Sequence, residues 1–196
     1  GFTECKSDFY SWSTDTADSA VSIVKIGNNL SPAFTNELAP YQTSGTWAPQ
    51  VTKKVDGGEM KKFKFELYTK DSNGNEKVLD TKCTEKGTGN ESTVSFATQT
   101  ISLGIKDLDS NRQKQLTYYI RECDASDTDG TKHEGYTNDT KTFKVVVTAK
   151  DKGDGTLACT PAYYEVDANG AETKTDTPTF TNTYSTSLPL SGMSGV

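Results

Sequence analysis

Three polar residues stand where apolar ones would be expected, and their types are those of an amine, an acid and a carboxamide. Lys53 lies in "QVTKKVDGG", where the period of two along a strand puts it on the same face as Val51 and Val55. Glu122 closes "LTYYIREC", sharing a face with Ile120 and Tyr118, and Asn182 follows Phe180 at the same spacing in "PTFTNTY", with Tyr184 beyond. A charged side chain turned into an apolar interior is expensive unless it is paired or neutralised. Desolvation lowers the pKa of a lysine and raises that of a glutamate, so a buried pair can exchange a proton and become a neutral amine beside a neutral acid. The residues alone leave two readings open. In one, Lys53 and Glu122 form an ordinary ion pair and Asn182 satisfies backbone groups; in the other, a free amine is held against a carboxamide.

Strands must position these residues. From Trp47 onward the chain reads as short alternating segments divided by turn signals. "TWAPQVTKKV" is expected as a first strand. "KKFKFELYTKD" turns Phe63, Phe65 and Leu67 to one side and Lys62, Lys64, Glu66 and Tyr68 to the other. "DSNGNEK" carries the Asn-Gly hairpin signal and leads into "KVLDTKC". "STVSFAT", "LTYYIREC", "KTFKVVVTAKD", "TLACTPAYYEV" and "TPTFTNTY" complete the series, with a short helix or turn near "SLGIKDLDSNRQ". The pattern predicts an all-β protein, an Ig-like antiparallel β-sandwich.

Before it, "SDFYSWSTDTADSA" is polar and loop-like, whereas "AVSIVKIGNNLSPAFTNEL" predicts two strands about a Gly-Asn-Asn turn. The chain therefore divides into an N-terminal β-hairpin extension at 1–46, the sandwich at 47–185 and a tail at 186–196. Phe-Thr-Asn recurs at 34–36 and 180–182, each time before a Ser/Thr-rich stretch, so the extension also reads as the remnant of a preceding module.

Composition narrows the function classes. Among the 196 residues 32% are hydrophobic and 24% charged, which suits a β-rich surface protein. The 21 basic residues are scattered among 27 acidic ones, a net charge of −6 that disfavours nucleic-acid binding. No apolar stretch approaches the roughly 20 residues that cross a bilayer, so a membrane anchor is expected only in a precursor. Cys5, Cys83, Cys123 and Cys159 lack a C-x-x-C pair, and His133 is the one histidine, so no metal site and no cofactor are expected. Four cysteines permit two disulfides in an oxidising setting, and equally four reduced, mostly buried thiols. His133 sits in the polar run "DGTKHEGYTND" and reads as a solvated loop residue; with no G-x-S-x-G element, a hydrolase is not expected. No cysteine has the setting of a thioester.

The conjunction of "VTKKV", "KKFKFELYTKD", "YYIRE", "DGT" in a hairpin and "FTNTY", in that order, resembles the streptococcal pilin isopeptide-linkage domains. These are Ig-like modules of Gram-positive pilins and surface adhesins, related to the CnaB type. The resemblance spans roughly residues 46–185. It implies that Lys53 is a nucleophile, Asn182 the electrophile and Glu122 the acid/base of a self-formed Lys53–Asn182 isopeptide bond, a single turnover and not an enzymatic activity. On first principles the protonated Glu122 is expected to hydrogen-bond the Asn182 carbonyl oxygen and then carry a proton to the leaving nitrogen.

"LPLSG", Leu188, Pro189, Leu190, Ser191 and Gly192, resembles the LPxTG sorting signal with serine in place of threonine. The resemblance implies cleavage by sortase between Ser191 and Gly192 and attachment to peptidoglycan or to a pilin subunit, hence an extracellular, cell-wall-anchored protein. The leading expectation is a stalk module; the alternative is an adhesin module whose loops or tyrosine-rich surface bind a host protein or glycan.

Overall fold

A computed structural model describes residues 41–123 and 133–186, preceded by the backbone of four short strands, Glu4–Lys6 (β1), Phe9–Ser11 (β2), Ser19–Ile23 (β3) and Phe34–Leu38 (β4). β3 and β4 pair antiparallel, as the turn signal between them predicts. β1 and β2 also pair, so the polar run around Phe9 contributes a strand where a loop was expected.

The main body follows as Gln42–Trp47 (β5), Gln50–Asp56 (β6), Lys64–Lys70 (β7), Glu76–Cys83 (β8), Glu91–Ser95 (β9) and Gln99–Gly104 (β10). After a single 3₁₀ turn at Ile105–Asp107 come Gln113–Glu122 (β11), Tyr136–Thr137 (β12), Thr142–Asp151 (β13), Leu157–Val166 (β14), Glu172–Thr175 (β15) and Thr179–Tyr184 (β16). No helix among the described residues is long and apolar enough to cross a membrane. A six-stranded sheet, β15-β14-β13-β11-β7-β8, faces a four-stranded one, β12-β16-β6-β9, and β5 and β10 form a ribbon beside them.

Alternation builds the core. β13 buries Phe143, Val145, Val147 and Ala149 at every second position, and β7 buries Phe65 and Leu67. From the opposite sheet Val51, Val55, Val94 and Phe180 close on them. Phe180 bridges the layers, its ring 5.3 Å from Phe65 and 4.9 Å from Phe143, both edge-on. The architecture is the expected β-sandwich.

Three features depart from the sequence reading. "TWAPQVTKKV" is two strands, because Ala48 and Pro49 end β5, whose partner is β10. β5 thus pairs with a strand of the main body. Tyr68, expected on the outer face, is buried there: a register shift between Leu67 and Tyr68 sets its ring on Tyr119, 5.4 Å away and stacked, beneath the Arg121 guanidinium at 4.4 Å. The third departure concerns the antiparallel expectation, since β16 runs parallel to β6, pairing Phe180 with Lys53 and Asn182 with Val55.

Candidate functional site

The paired strands β6 and β16, with the end of β11, carry the site. In β6 the inward positions are Val51, Lys53 and Val55, and Lys53 is fully enclosed. Its Nζ lies 4.7 Å from the centre of the Phe63 ring and 5.9 Å from that of Phe65, so aromatic faces take the place of water around the ammonium. In β16 Phe180 and Asn182 are inward and both are fully enclosed. Glu122 is the last residue of β11, in register with Phe65, and its side chain is inaccessible to solvent.

These three side chains meet. Lys53 Nζ donates to Glu122 Oε2 at 2.8 Å, and Asn182 Nδ2 donates to Glu122 Oε1 at 2.7 Å, so one carboxyl group spans amine and carboxamide. The interior faces predicted for Lys53, Glu122 and Asn182 are thus the observed ones.

The electrostatics follow from burial. Desolvation holds the Lys53 amine below its ordinary range, more strongly than the charge and hydrogen bond of Glu122 hold it up. Desolvation likewise raises the Glu122 carboxyl, against the opposing pull of Lys53 and of the Asn182 hydrogen bond. Both shifts point the same way, toward transfer of the proton from nitrogen to oxygen.

The carboxamide is oriented differently from the expectation. Asn182 Oδ1 accepts from the backbone N–H of Asp139 at 2.8 Å, and Nδ2 donates a second bond to Asn138 Oδ1 at 3.2 Å. Glu122 therefore faces the nitrogen of the amide and not its carbonyl oxygen. A backbone N–H can only donate, so the Asp139 N–H leaves the amide one way round. Sequence reasoning missed Asn138 and Asp139. They occupy a polar stretch whose single signal, an Asn-Asp pair, marks a turn without marking a site.

Among the described residues, the other candidates are not hydrogen-bonded to the trio. His133 is half-buried, not simply solvated: its Nε2 lies 2.8 Å from the Lys62 carbonyl oxygen and its ring meets Phe63 edge-on at 5.3 Å, backing the ring that covers Lys53. Cys83, Cys123 and Cys159 are free thiols, so no disulfide joins them; the side chain of Cys5 lies outside the described residues. Burial pushes the Cys123 thiol up to about 11. Leu188, Pro189, Leu190, Ser191 and Gly192 also lie outside the described residues.

A family model described as FctA, Spy0128-like isopeptide containing domain, matches residues 49–185. No curated protein matches the chain. Among solved structures it is similar to the major pilin from Streptococcus pyogenes, at 16% identity over 75% of this chain and 51% of that one, with a TM-score of 0.36. The major pilin protein T3.2 from S. pyogenes serotype GAS13637 matches at 17% identity over 75% of this chain and 53% of that one, with a TM-score of 0.38. The chain spans about half the length of these pilins.

Proposed function

Since the chain belongs to the FctA family of Spy0128-like isopeptide containing domains, we propose that it is a structural shaft module of a Gram-positive pilin or wall-anchored adhesin, closed on itself by an isopeptide bond between Lys53 and Asn182. The observation that carries this reading is the single buried carboxyl group hydrogen-bonded to both the Lys53 amine and the Asn182 carboxamide.

The chemistry proceeds without a cofactor. Glu122 takes a proton from the Lys53 ammonium through Oε2, leaving an amine with a free electron pair. That pair attacks Asn182 Cγ, and the carbonyl π electrons move to Oδ1. The nitrogen of Lys53 passes a further proton to Glu122 as the intermediate collapses, Nδ2 accepts one from Glu122, and the C–N bond to Nδ2 breaks. One amide forms, one ammonia leaves, and Glu122 ends as the neutral acid, keeping one of the two protons it took from Lys53. The folded strands hold amine and carboxamide together, and intramolecular placement of this kind is equivalent to effective concentrations of about 10⁵–10⁸ M. The product has no second substrate, so turnover is single.

The bond would suit a load-bearing element. In the parallel pair β6–β16 the N-terminal end of one strand and the C-terminal end of the other lie at opposite poles, so tension along the chain shears the pair. A covalent link between these two strands carries that load past the intervening strands. It also closes a loop of about 130 residues, worth about 5 kcal/mol of denatured-state entropy by analogy with a disulfide.

Intact mass tests the proposal. Wild-type protein is expected to be lighter than its sequence by one ammonia, and Lys53→Ala to have the full sequence mass; full mass in the wild type would refute the bond. Attachment is proposed to run through Leu188–Gly192, with sortase cutting after Ser191 and joining it to peptidoglycan or to a pilin lysine. Incubation with a sortase should then release residues 192–196.

A further inference from the structure

Resting on the isopeptide reading, the geometry assigns a part in the condensation to Asn138 and Asp139, in the segment between β12 and β13. We infer that the backbone N–H of Asp139 stabilises the oxyanion that develops on Asn182 Oδ1, and that the Asn138 carboxamide holds the departing nitrogen against Glu122.

Asn182 has two polar atoms in a site closed to solvent, and both are engaged. Oδ1 accepts from Asp139 N at 2.8 Å; Nδ2 is shared between Glu122 Oε1 at 2.7 Å and Asn138 Oδ1 at 3.2 Å. Turning the amide over would set Nδ2 against an N–H donor and Oδ1 against two acceptor oxygens. The amide is thereby held with its leaving group toward the acid and its oxygen toward a fixed donor. Attack by Lys53 moves an electron pair onto Oδ1. A backbone N–H already in place meets that charge without reorganisation.

The segment is itself braced from both sides. The Asp139 carboxylate accepts from the backbone N–H of Thr181 at 2.8 Å, the residue beside Asn182 in β16, and from that of Lys141 at 3.0 Å. Asn138 Nδ2 donates to the carbonyl oxygen of Cys123 at 3.4 Å, the residue after Glu122. One short segment thus ties the strand of the electrophile to the end of the strand of the acid. The N–H of Asp139 and the amide of Asn138 touch reacting atoms. The Asp139 carboxylate is a positioning group that fixes where its own N–H points.

The test is the rate of ammonia loss, followed by intact mass as chains made by cell-free translation are captured in denaturant and then refolded. Replacing Asp139 by its α-hydroxy acid keeps the carboxylate and substitutes an ester oxygen for the N–H. This variant is expected to condense about 10²–10³-fold more slowly than wild type, the usual effect of losing one oxyanion donor. Asn138→Ala is expected to slow the reaction by about 10- to 10²-fold, the cost of a misplaced reacting group. The ester variant condensing at the wild-type rate per folded molecule would overturn the inference. Wild type that never loses ammonia would overturn the isopeptide reading, and this inference with it. A crystal structure of the condensed wild type provides a measurement that does not depend on a variant's folding: the new amide oxygen should accept from Asp139 N, and an oxygen turned toward Glu122 instead would refute the assignment.

Discussion

The Asn182 carboxamide presents its nitrogen to Glu122, with Nδ2 2.7 Å from Oε1. Glu122 therefore faces the atom that must be protonated to leave, while its other oxygen faces the atom that must be deprotonated to attack. A proton relayed from Oε2 to Oε1 through the carboxyl group serves both events, which makes this residue hard to replace by anything that only fills its space.

Glu122→Gln keeps the volume and one acceptor but cannot relay a proton, so the variant should retain the full sequence mass. Glu122→Ala should do the same and also lose about 3–5 kcal/mol of stability relative to an uncondensed parent such as Asn182→Ala, because the Lys53 ammonium is left buried without its partner. Intact mass and urea denaturation of these three variants would check both statements.

The reaction should have a bounded pH range. The active pair carries one proton between amine and carboxyl. A second proton ties up the amine, and loss of the last removes the acid. Glu122 is raised above its ordinary 4.5 and Lys53 lowered below its ordinary 10.5, both by desolvation first. The acid limb of the rate should therefore fall above 4.5 and the alkaline limb below 10.5, and the two midpoints belong to the pair. Refolding unlinked chains at a series of pH values and following ammonia loss measures this; an acid limb at or below 4.5 would contradict the buried site.

Pulling the domain from its ends should separate the linked from the unlinked form. With the bond intact the residues between Lys53 and Asn182 cannot extend, whereas Lys53→Ala should release about 130 residues, or about 450 Å of contour at close to 3.5 Å each. Single-molecule force extension reads this length directly.

Gly45 supplies a test of the fold away from the site. A Cβ there would lie 2.5 Å from the Leu157 carbonyl oxygen and 2.9 Å from Cys159 Sγ, where β5 passes close over β14. Gly45→Ala should cost about 1–3 kcal/mol through overpacking. The measurement is denaturant unfolding in the Asn182→Ala background, where no cross-link masks the change.

Period-two alternation was enough to turn Lys53, Glu122 and Asn182 inward, and Asn-Gly and related turn signals were enough to divide the strands between them. Those properties are local: the face on which a side chain falls depends on its neighbours two residues away. The parallel pairing of β6 with β16, the β5–β10 ribbon and the burial of Tyr68 at a register shift depend on which strands lie side by side. Segments distant along the chain decide that. The orientation of the Asn182 amide belongs to the same class, because it is set by an N–H from Asp139, 43 positions away, that no pattern around "FTNTY" could announce. Sequence alone determined which side chains the interior must accommodate; only the packed structure decided which atoms of those side chains face one another, since hydrogen-bond direction is a property of partners and not of positions.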